Sequence, residues 1–500
     1  MLFQQTISTQ PFSQWLWRDK ENRKLLWFAA FVAVVSFSWL KFMYPYPNFM
    51  PPDSYSYLDA ANKNDFINIW PIGYSKFLRL VSVFSRSHVL LVVLQYLILI
   101  TSVLYLLFTI RYLLAPGKWL FRGVLAAGVI NPLLPHIANF VGSDSLFAAL
   151  SLVWFTQLLW IMYKPGLRLL LFHAIILLLA FTVRFSAIWY PFISIAIILL
   201  TRLIPARTKW LGIGSIIILL FVFIGSTQYE YFKRTGTTQY TAFGGWQMAA
   251  NALYGFAHGQ PPEKMRHYEF LDLHDMVKRH MDSLSKLKYR PDEEIGIYYL
   301  WDHKSPLVTY AKTKWQDSLK TPQFTKWASM GPLYGKYGRW LIEEHPALFL
   351  KYYAWPNLLR YYKPPPLFMG TYNLGNTTVD SIAVSWFNWK NNQLPSRLGD
   401  SSIHLMIFFP TLLAIINPLF IAGALLFIFF GGLKHCSKTS KHILSCMLLV
   451  WLGNCLFSVL SAPIELRYQV FPVVITVPFC ILFMSWIIRS WQSEPTTSLA

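Results

Sequence analysis

The strongest constraint on the fold is a series of ten apolar runs, each close to the length that crosses a lipid bilayer. A membrane-spanning helix needs about 20 mostly apolar residues. The 500-residue chain is 55% hydrophobic and 13% charged, about half the charged fraction of a soluble protein. The sequence therefore predicts an all-α polytopic membrane protein. The ten predicted spans are 25–43, 88–110, 120–136, 145–163, 167–182, 187–202, 210–227, 403–430, 443–462 and 469–490.

Basic residues predict how these spans are oriented. Short loops rich in Lys and Arg stay in the cytoplasm, and here the N-terminal segment and every second short loop carry such residues. Both termini are therefore expected in the cytoplasm, with the first span acting as a signal anchor. The net charge of +21 reflects the same loops, so nucleic acid is not a predicted partner. We expect a bacterial plasma (inner) membrane, with the functional face toward the periplasm or exterior.

Three regions follow from the span pattern. Residues 1–227 form an N-terminal module of seven spans, and residues 403–500 form a C-terminal module of three. Between them, residues 228–402 form one large, mostly helical extracytoplasmic segment with 21 basic and 15 acidic residues. We expect short interfacial helices there, together with a small polar domain.

The first outer loop, 44–87, is predicted to contain two helices. The segment 53–63 follows Pro51-Pro52 and has a helical composition. The segment 72–84 has the apolar spacing of an amphipathic helix at a membrane surface. Its predicted apolar face is Phe77, Leu80, Val81 and Phe84, with Lys76 and Arg79 on another face.

Acidic residues are scarce outside the termini and the large segment. Only five occur there, and all are predicted to lie on the outer face: Asp53, Asp59, Asp65, Asp144 and Glu465. A carboxylate beside a bilayer is costly and is usually retained for a task. Asp53 and Asp144 each precede an apolar or helical run, so each is either a helix N-cap or a functional acid, with Asp53 suited to act as a general base. Asp59 and Asp65 are predicted to be solvated surface acids.

Two arginines lie in short outer loops, where basic residues are otherwise scarce. Arg184 and Arg467 are the single basic residues of their loops. A guanidinium at the membrane edge is suited to phosphate, because its planar fork binds two oxygens at once. The alternative is a structural ion pair, such as Arg467 with Glu465 or with Asp144.

The sequence contains no Walker motif, no dinucleotide-binding glycine motif and no haem motif, and its cytoplasmic loops are too short for a nucleotide-binding domain. The four cysteines have no zinc-site spacing. No cofactor is therefore required, although a divalent cation is compatible with the pattern.

The arrangement resembles the GT-C superfamily, which consists of integral membrane glycosyltransferases that use polyprenyl- or dolichyl-phosphate sugars, such as mannosyl- and aminoarabinose transferases. The resemblance rests on Asp53 in PDSYSYLDAA, Asp144 in GSDSLF, the stretch EEHPALFLKYY at 343–353, and Arg467 in ELRY. It also rests on the long first outer loop and on the large segment after the seventh span.

This resemblance implies an inverting sugar transfer to an acceptor hydroxyl of a glycan, lipid or protein. Asp53 would act as the catalytic base, and Asp144 would position it. The donor phosphate would be bound by Arg467 and Arg184, assisted by Lys76 and Arg79. Tyr57 and Tyr468 would shape the substrate site.

Two other functions remain open at this stage. An O-antigen polymerase or ligase also combines many spans, a large outer loop and outward arginines. A lipid or glycan flippase or transporter would place polar residues deep within its spans and show repeat symmetry.

Overall fold

The computed structural model describes residues 9–259, 268–316, 320–397 and 401–492, and within these ranges the chain is helical, with isolated β-bridges but no strand. The helices are α1 (Phe12–Arg18), α2 (Lys20–Met43), α3 (Asp53–Lys63), α4 (Gly73–Phe84), α5 (His88–Leu114), α6 (Lys118–Val129), α7 (Leu133–Ala138), α8 (Asp144–Tyr163), α9 (Leu167–Val183), α10 (Tyr190–Leu200), α11 (Ala206–Thr235), α12 (Ala242–Phe256), α13 (Leu271–Ser285), α14 (Tyr298–Trp301), α15 (Pro306–Lys314), α16 (Gln323–Ser329), α17 (Gly331–Glu344), α18 (Pro346–Phe349), α19 (Trp355–Tyr362), α20 (Ser381–Phe387), α21 (His404–Phe429), α22 (Lys438–Ser461) and α23 (Val470–Gln492). The sequence prediction of an all-helical chain is confirmed for this part of the protein.

Eight helical segments of the described chain are long and apolar enough to cross a membrane, which marks the chain as an integral membrane protein. Many of their apolar side chains are exposed; Trp27 on α2 is 77% exposed and Phe221 on α11 is 76% exposed. Such faces are typical of helices whose solvent is lipid. The eight segments are Lys20–Met43, His88–Leu114, Lys118–Ala138, Asp144–Tyr163, Ala206–Thr235, His404–Phe429, Lys438–Ser461 and Leu466–Trp491.

The other two predicted spans form shorter apolar helices. The run 167–182 becomes Leu167–Val183, and the run 187–202 becomes Phe185–Leu200, whose first turns are a 3-10 helix. The predicted span 120–136 is broken into α6 and α7, because the helix stops at Ile130 ahead of Pro132.

Helix α8 lies at the centre of the bundle. It packs against α5, α9, α10, α22 and α23, and Trp154 and Phe155 near its middle are fully buried. Because α8 is enclosed on all these sides, its first residue, Asp144, is also held inside the protein.

The two predicted helices of the first outer loop are present as α3 and α4. On the predicted apolar face of α4, Val81 is buried, whereas Leu80 and Phe84 are 60% and 79% exposed. Tyr74 and Leu78 are buried as well, because α4 packs against α3 and α9.

Within the segment 228–402, a separate hydrophobic core forms around α12 and α17. It is rich in buried aromatic side chains, including Trp246, Tyr299, Tyr334, Tyr337 and Tyr353. The two central helices touch backbone to backbone. A Cβ on Gly245 would lie only 1.9 Å from the carbonyl oxygen of Gly331, so this contact requires glycine.

Replacing Gly245 with Ala should therefore force α12 and α17 apart. We expect the free energy of unfolding to fall by about 2 kcal/mol, as overpacking costs, with a fall of about 5 °C in the melting midpoint of the detergent-solubilised protein. Gly214→Ala is the control, because no atom lies within 4 Å of its added Cβ. Equal melting midpoints for the two variants would contradict this packing.

Candidate functional site

Five charged residues from distant parts of the chain meet at one end of the bundle, and we call them the charged cluster. Asp53 begins α3, Asp144 begins α8 and Arg184 ends α9. Glu465 and Arg467 lie in the turn between α22 and α23. Each acid at a helix start, and the arginine at a helix end, is placed where the helix dipole favours its charge.

Arg467 is the centre of the charged cluster. Its Nε donates to Glu465 Oε2 at 2.7 Å, and its Nη1 donates to Asp53 Oδ2 at 3.2 Å. The same Nη1 lies 3.7 Å from Asp144 Oδ2. The side chain of Arg467 is only 9% exposed, so one buried guanidinium lies within ion-pair distance of three carboxylates.

Arg184 is the second cation of the charged cluster. Its Nη1 donates to Asp144 Oδ1, and the Asp144 side chain is 3% exposed. The ring of Tyr468 lies against both guanidiniums, 4.7 Å from Arg184 Cζ and 4.6 Å from Arg467 Cζ. Tyr468 Oη also accepts a hydrogen bond from Arg467 Nη2 at 2.6 Å. Tyr468 thus holds the two arginines side by side.

Backbone hydrogen bonds bring Asp53 next to Asp144. The chain before α3 pairs with the chain before α8, because Asn48 donates to Asn139 O and Val141 donates to Asn48 O. Ser54 Oγ then donates to Val141 O at 2.6 Å. The hydroxyl of Tyr57, one turn further along α3, lies 3.0 Å from Ser143 Oγ. Neither acid caps its helix, since the N-cap positions are Pro52 and Ser143, so the N-cap interpretation is wrong.

Asn357 on α19 holds the turn that carries Glu465 and Arg467. This side chain is fully buried. Its Nδ2 donates to Ala462 O at 2.8 Å, and its Oδ1 accepts from Ile464 N at 2.8 Å. Sequence reasoning missed this residue, because a single Asn in a mixed aromatic stretch carries no local signal.

The charged cluster borders two adjoining cavities of about 260 and 530 Å³. Asp53, Asp144, Arg184, Arg467 and Tyr468 line both of them. Most of the remaining lining is apolar and comes from α12, α22 and the chain around them. A few charged groups within a largely apolar cavity are typical of a small-molecule binding site.

An aromatic wall faces the charged cluster across the smaller cavity. It consists of Trp70, Phe243 and Trp301, and the rings of Trp70 and Phe243 are 4.6 Å apart. Gln247, one turn beyond Phe243 on α12, adds an amide to the same cavity. The Nε1 of Trp70 is buried and has no hydrogen-bond partner among the described residues. This wall was not predicted, because Trp70 lies in an irregular loop.

Burial changes the acidity of the groups on α3. Removal from water raises the pKa of the Asp53 carboxyl above its usual value, against the opposing effect of the Arg467 and Arg184 charges. Burial also raises the pKa of Tyr57 to about 12, with a smaller contribution from the negative charge of Asp53. Asp53 is thus a stronger base than a solvated aspartate, while Tyr57 stays neutral.

Lys76 and Arg79, which were predicted to assist in binding the donor phosphate, are not among the lining residues of either cavity. Lys76 Nζ donates to Asn64 Oδ1 at 2.8 Å, and Arg79 Nη1 donates to Ala61 O at 3.1 Å. Both cations therefore lie beside the end of α3, and the structure does not bring them to the charged cluster.

The remaining sequence predictions concern the binding of a metal ion and two acidic residues at the surface. The described chain contains no group of three His, Cys, Asp or Glu side chains arranged to hold a metal ion; the carboxylates of the charged cluster bind arginine instead. Asp59 pairs with Lys63 at 2.7 Å, with an Asp59 side chain that is 45% exposed, as expected of a surface acid. Asp65 pairs with Arg234 and is 26% exposed.

Removing the Arg467 charge should destabilise the protein in a pH-dependent way. Arg467→Gln leaves three buried carboxylates with only Arg184. Loss of the Arg467 charge, which opposes the effect of burial on Asp53, raises the pKa of Asp53 further in the folded state. Stability contributed by a group with a raised pKa is lost as pH rises. We therefore expect the free energy of unfolding of the variant to be lower than that of wild type by about 3–5 kcal/mol near pH 8, and by less near pH 5. Melting midpoints at both pH values measure this.

Arg79→Gln is the control for that experiment, because it removes an arginine outside the charged cluster. Its melting midpoint should change little at either pH. A loss for Arg467→Gln that is the same at pH 5 and pH 8 would contradict the assigned ion pairs.

Comparisons with protein families, with curated proteins and with solved structures find no match to this chain.

Proposed function

We propose that this chain is an inverting membrane glycosyltransferase that moves a sugar from a polyprenyl-phosphate donor to an acceptor hydroxyl. The observation that carries the proposal is the charged cluster at the cavities. Two arginines and one carboxylate with a raised pKa line the same cavities at one end of a bundle of apolar helices. The GT-C-like motifs around Asp53, Asp144 and Arg467 agree with this function.

The donor phosphate is proposed to bind Arg467 and Arg184. Both guanidiniums currently bind carboxylates of the charged cluster, and a phosphate offers the same type of oxygen with more negative charge. The prenyl chain lies along the apolar surface that includes Phe457 and Leu460 on α22. Cations in a partly dry cavity stabilise the phosphate most as it departs, because its charge then increases.

Arrival of the phosphate also prepares the base. A phosphate that engages Arg467 Nη1 competes with Asp53, which then faces the acceptor hydroxyl as a free carboxylate. The hydroxyl oxygen attacks the anomeric carbon, and its proton passes to Asp53. The bond between the anomeric carbon and the phosphate oxygen breaks, and the phosphate leaves with the electron pair. A single displacement of this kind inverts the anomeric centre.

The aromatic wall is proposed to hold the sugar acceptor. Trp70 and Trp301 present ring faces to the smaller cavity, and aromatic rings pack well against the apolar faces of sugars. The unpartnered Nε1–H of Trp70 and the amide of Gln247 supply hydrogen bonds to hydroxyl groups. The proposed setting is the bacterial plasma membrane, with the charged cluster on the periplasmic or exterior side.

Asp53→Asn should abolish sugar transfer. Loss of a general base lowers a rate by about 10²–10⁴-fold, so one monosaccharide should be missing from the envelope glycans of cells that contain only this variant. Mass spectrometry of glycans from cells lacking the protein, and from cells rescued with wild type or variant, measures the change in mass. The result also identifies the sugar and the acceptor.

Asp59→Asn is the matched control, because Asp59 lies on the same helix but pairs with Lys63 at the surface. It should restore the glycan fully. If well-expressed Asp53→Asn restores it as well, Asp53 is not the base. A change in glycan chain length, rather than in one sugar, would instead favour a polymerase or ligase. Accumulation of unmodified substrate on the cytoplasmic side would favour a flippase.

The pH dependence of transfer provides a second test of Asp53. Only its deprotonated form accepts a proton, and burial raises its pKa. We therefore expect kcat/KM to fall on the acidic side with a midpoint above the ordinary aspartate value of about 3.9. Initial rates in membrane vesicles between about pH 4 and about pH 8 measure the midpoint. This range starts near the ordinary pKa of Asp, about 3.9, and extends beyond that of His, about 6.5. A midpoint at or below the ordinary value would contradict this assignment.

A further inference from the structure

A third cavity, of about 620 Å³, lies at the opposite end of the bundle. The ends of α8 and α10 and the start of α22 form its walls, through residues such as Tyr163, Leu200 and Lys438. Helix α8 carries Asp144 of the charged cluster at its other end and has 20 residues, or about 30 Å of length. The third cavity is therefore separated from the charged cluster by about the thickness of a bilayer core.

The charged groups of this cavity are all basic. Arg202 and Lys438 line it together with His442, and no carboxylate is among its lining residues. In the described part of the chain, no ion pair includes Arg202 or Lys438. Hydroxyls of Thr201, Thr439 and Ser445 lie among these cations. Cations and hydroxyl donors without an acid are suited to bind a phosphate group.

The other walls of the cavity are apolar and open outward. Leu200 is 79% exposed, Leu203 is 61% exposed and Leu449 is 45% exposed. Leu200 is the last residue of α10, Leu203 follows that helix, and Leu449 lies midway along α22. A molecule that fills this cavity must therefore combine an anionic head with apolar chains.

We propose that this cavity binds an anionic glycerophospholipid from the membrane. The phosphate of the headgroup lies between Arg202 and Lys438, and the acyl chains cover Leu200 and Leu449. Basic pockets between membrane helices bind such headgroups through charge complementarity. The bound lipid joins α10 to α22. This site does not depend on the proposed transferase activity.

Native mass spectrometry of the full-length protein tests this site. The detergent-solubilised protein is titrated with phosphatidylglycerol, with zwitterionic phosphatidylcholine and, separately, with inorganic phosphate. Phosphatidylglycerol should bind more tightly than either of the others. Arg202→Gln combined with Lys438→Gln should raise the apparent Kd for phosphatidylglycerol by about thirtyfold, since each basic residue near a membrane surface contributes about fivefold.

The control replaces Lys164 and Arg168 with Gln. Lys164 follows α8 and Arg168 lies in the first turn of α9; both are exposed, and neither lines the cavity. The affinity of this control variant should equal that of wild type. Each single variant, Arg202→Gln and Lys438→Gln, should show about a fivefold loss, which keeps the test valid if the double variant fails to fold. Equal binding of the two lipids, unchanged affinity in the variants, or equal binding of inorganic phosphate would overturn the proposal.

Discussion

The proposed site depends on the ion pairs that the buried guanidinium of Arg467 forms. It contacts Glu465, Asp53 and Asp144, and these carboxylates are almost removed from water. A buried carboxylate without a partner is strongly unfavourable, so this cation, together with Arg184, stabilises the meeting of the starts of α3 and α8. The contact joins residues more than 400 positions apart and thus connects the first outer loop to the turn before α23.

The same ion pairs are compatible with a purely structural role and with catalysis. Sequence reasoning posed these as alternatives for Arg467, and in the proposed mechanism one arrangement serves both. The carboxylates pair with the arginines, and a donor phosphate would replace them with an equivalent set of oxygens. The displaced Asp53 would then lie beside the acceptor as a base. Under this proposal, the stabilising ion pair also ensures that the base is released only when the donor is present.

The apolar bundle separates two chemically different ends. At one end, three acids and two arginines pair around cavities that the aromatic core of the segment 228–402 helps to close. At the other, Arg202 and Lys438 lie beside exposed leucines, with no acidic partner among the described residues. Helices α8 and α22 extend between these ends, so the proposed lipid site is formed by the same two helices that position Asp144 and Ser461 at the other end.

Local properties of the sequence determined the helices and the membrane character, because hydropathy and helical spacing act over a few residues. They also indicated Asp53, Asp144, Arg184 and Arg467, since charges beside apolar runs are conspicuous. Tertiary structure decided the rest. The packing of α4 placed Lys76 and Arg79 beside the end of α3. Only long-range contacts placed Trp70 at the cavities and Asn357 against the turn that carries Arg467. Such choices depend on packing between segments far apart in the chain, where shape and buried polar groups must be satisfied together, and no local pattern encodes them.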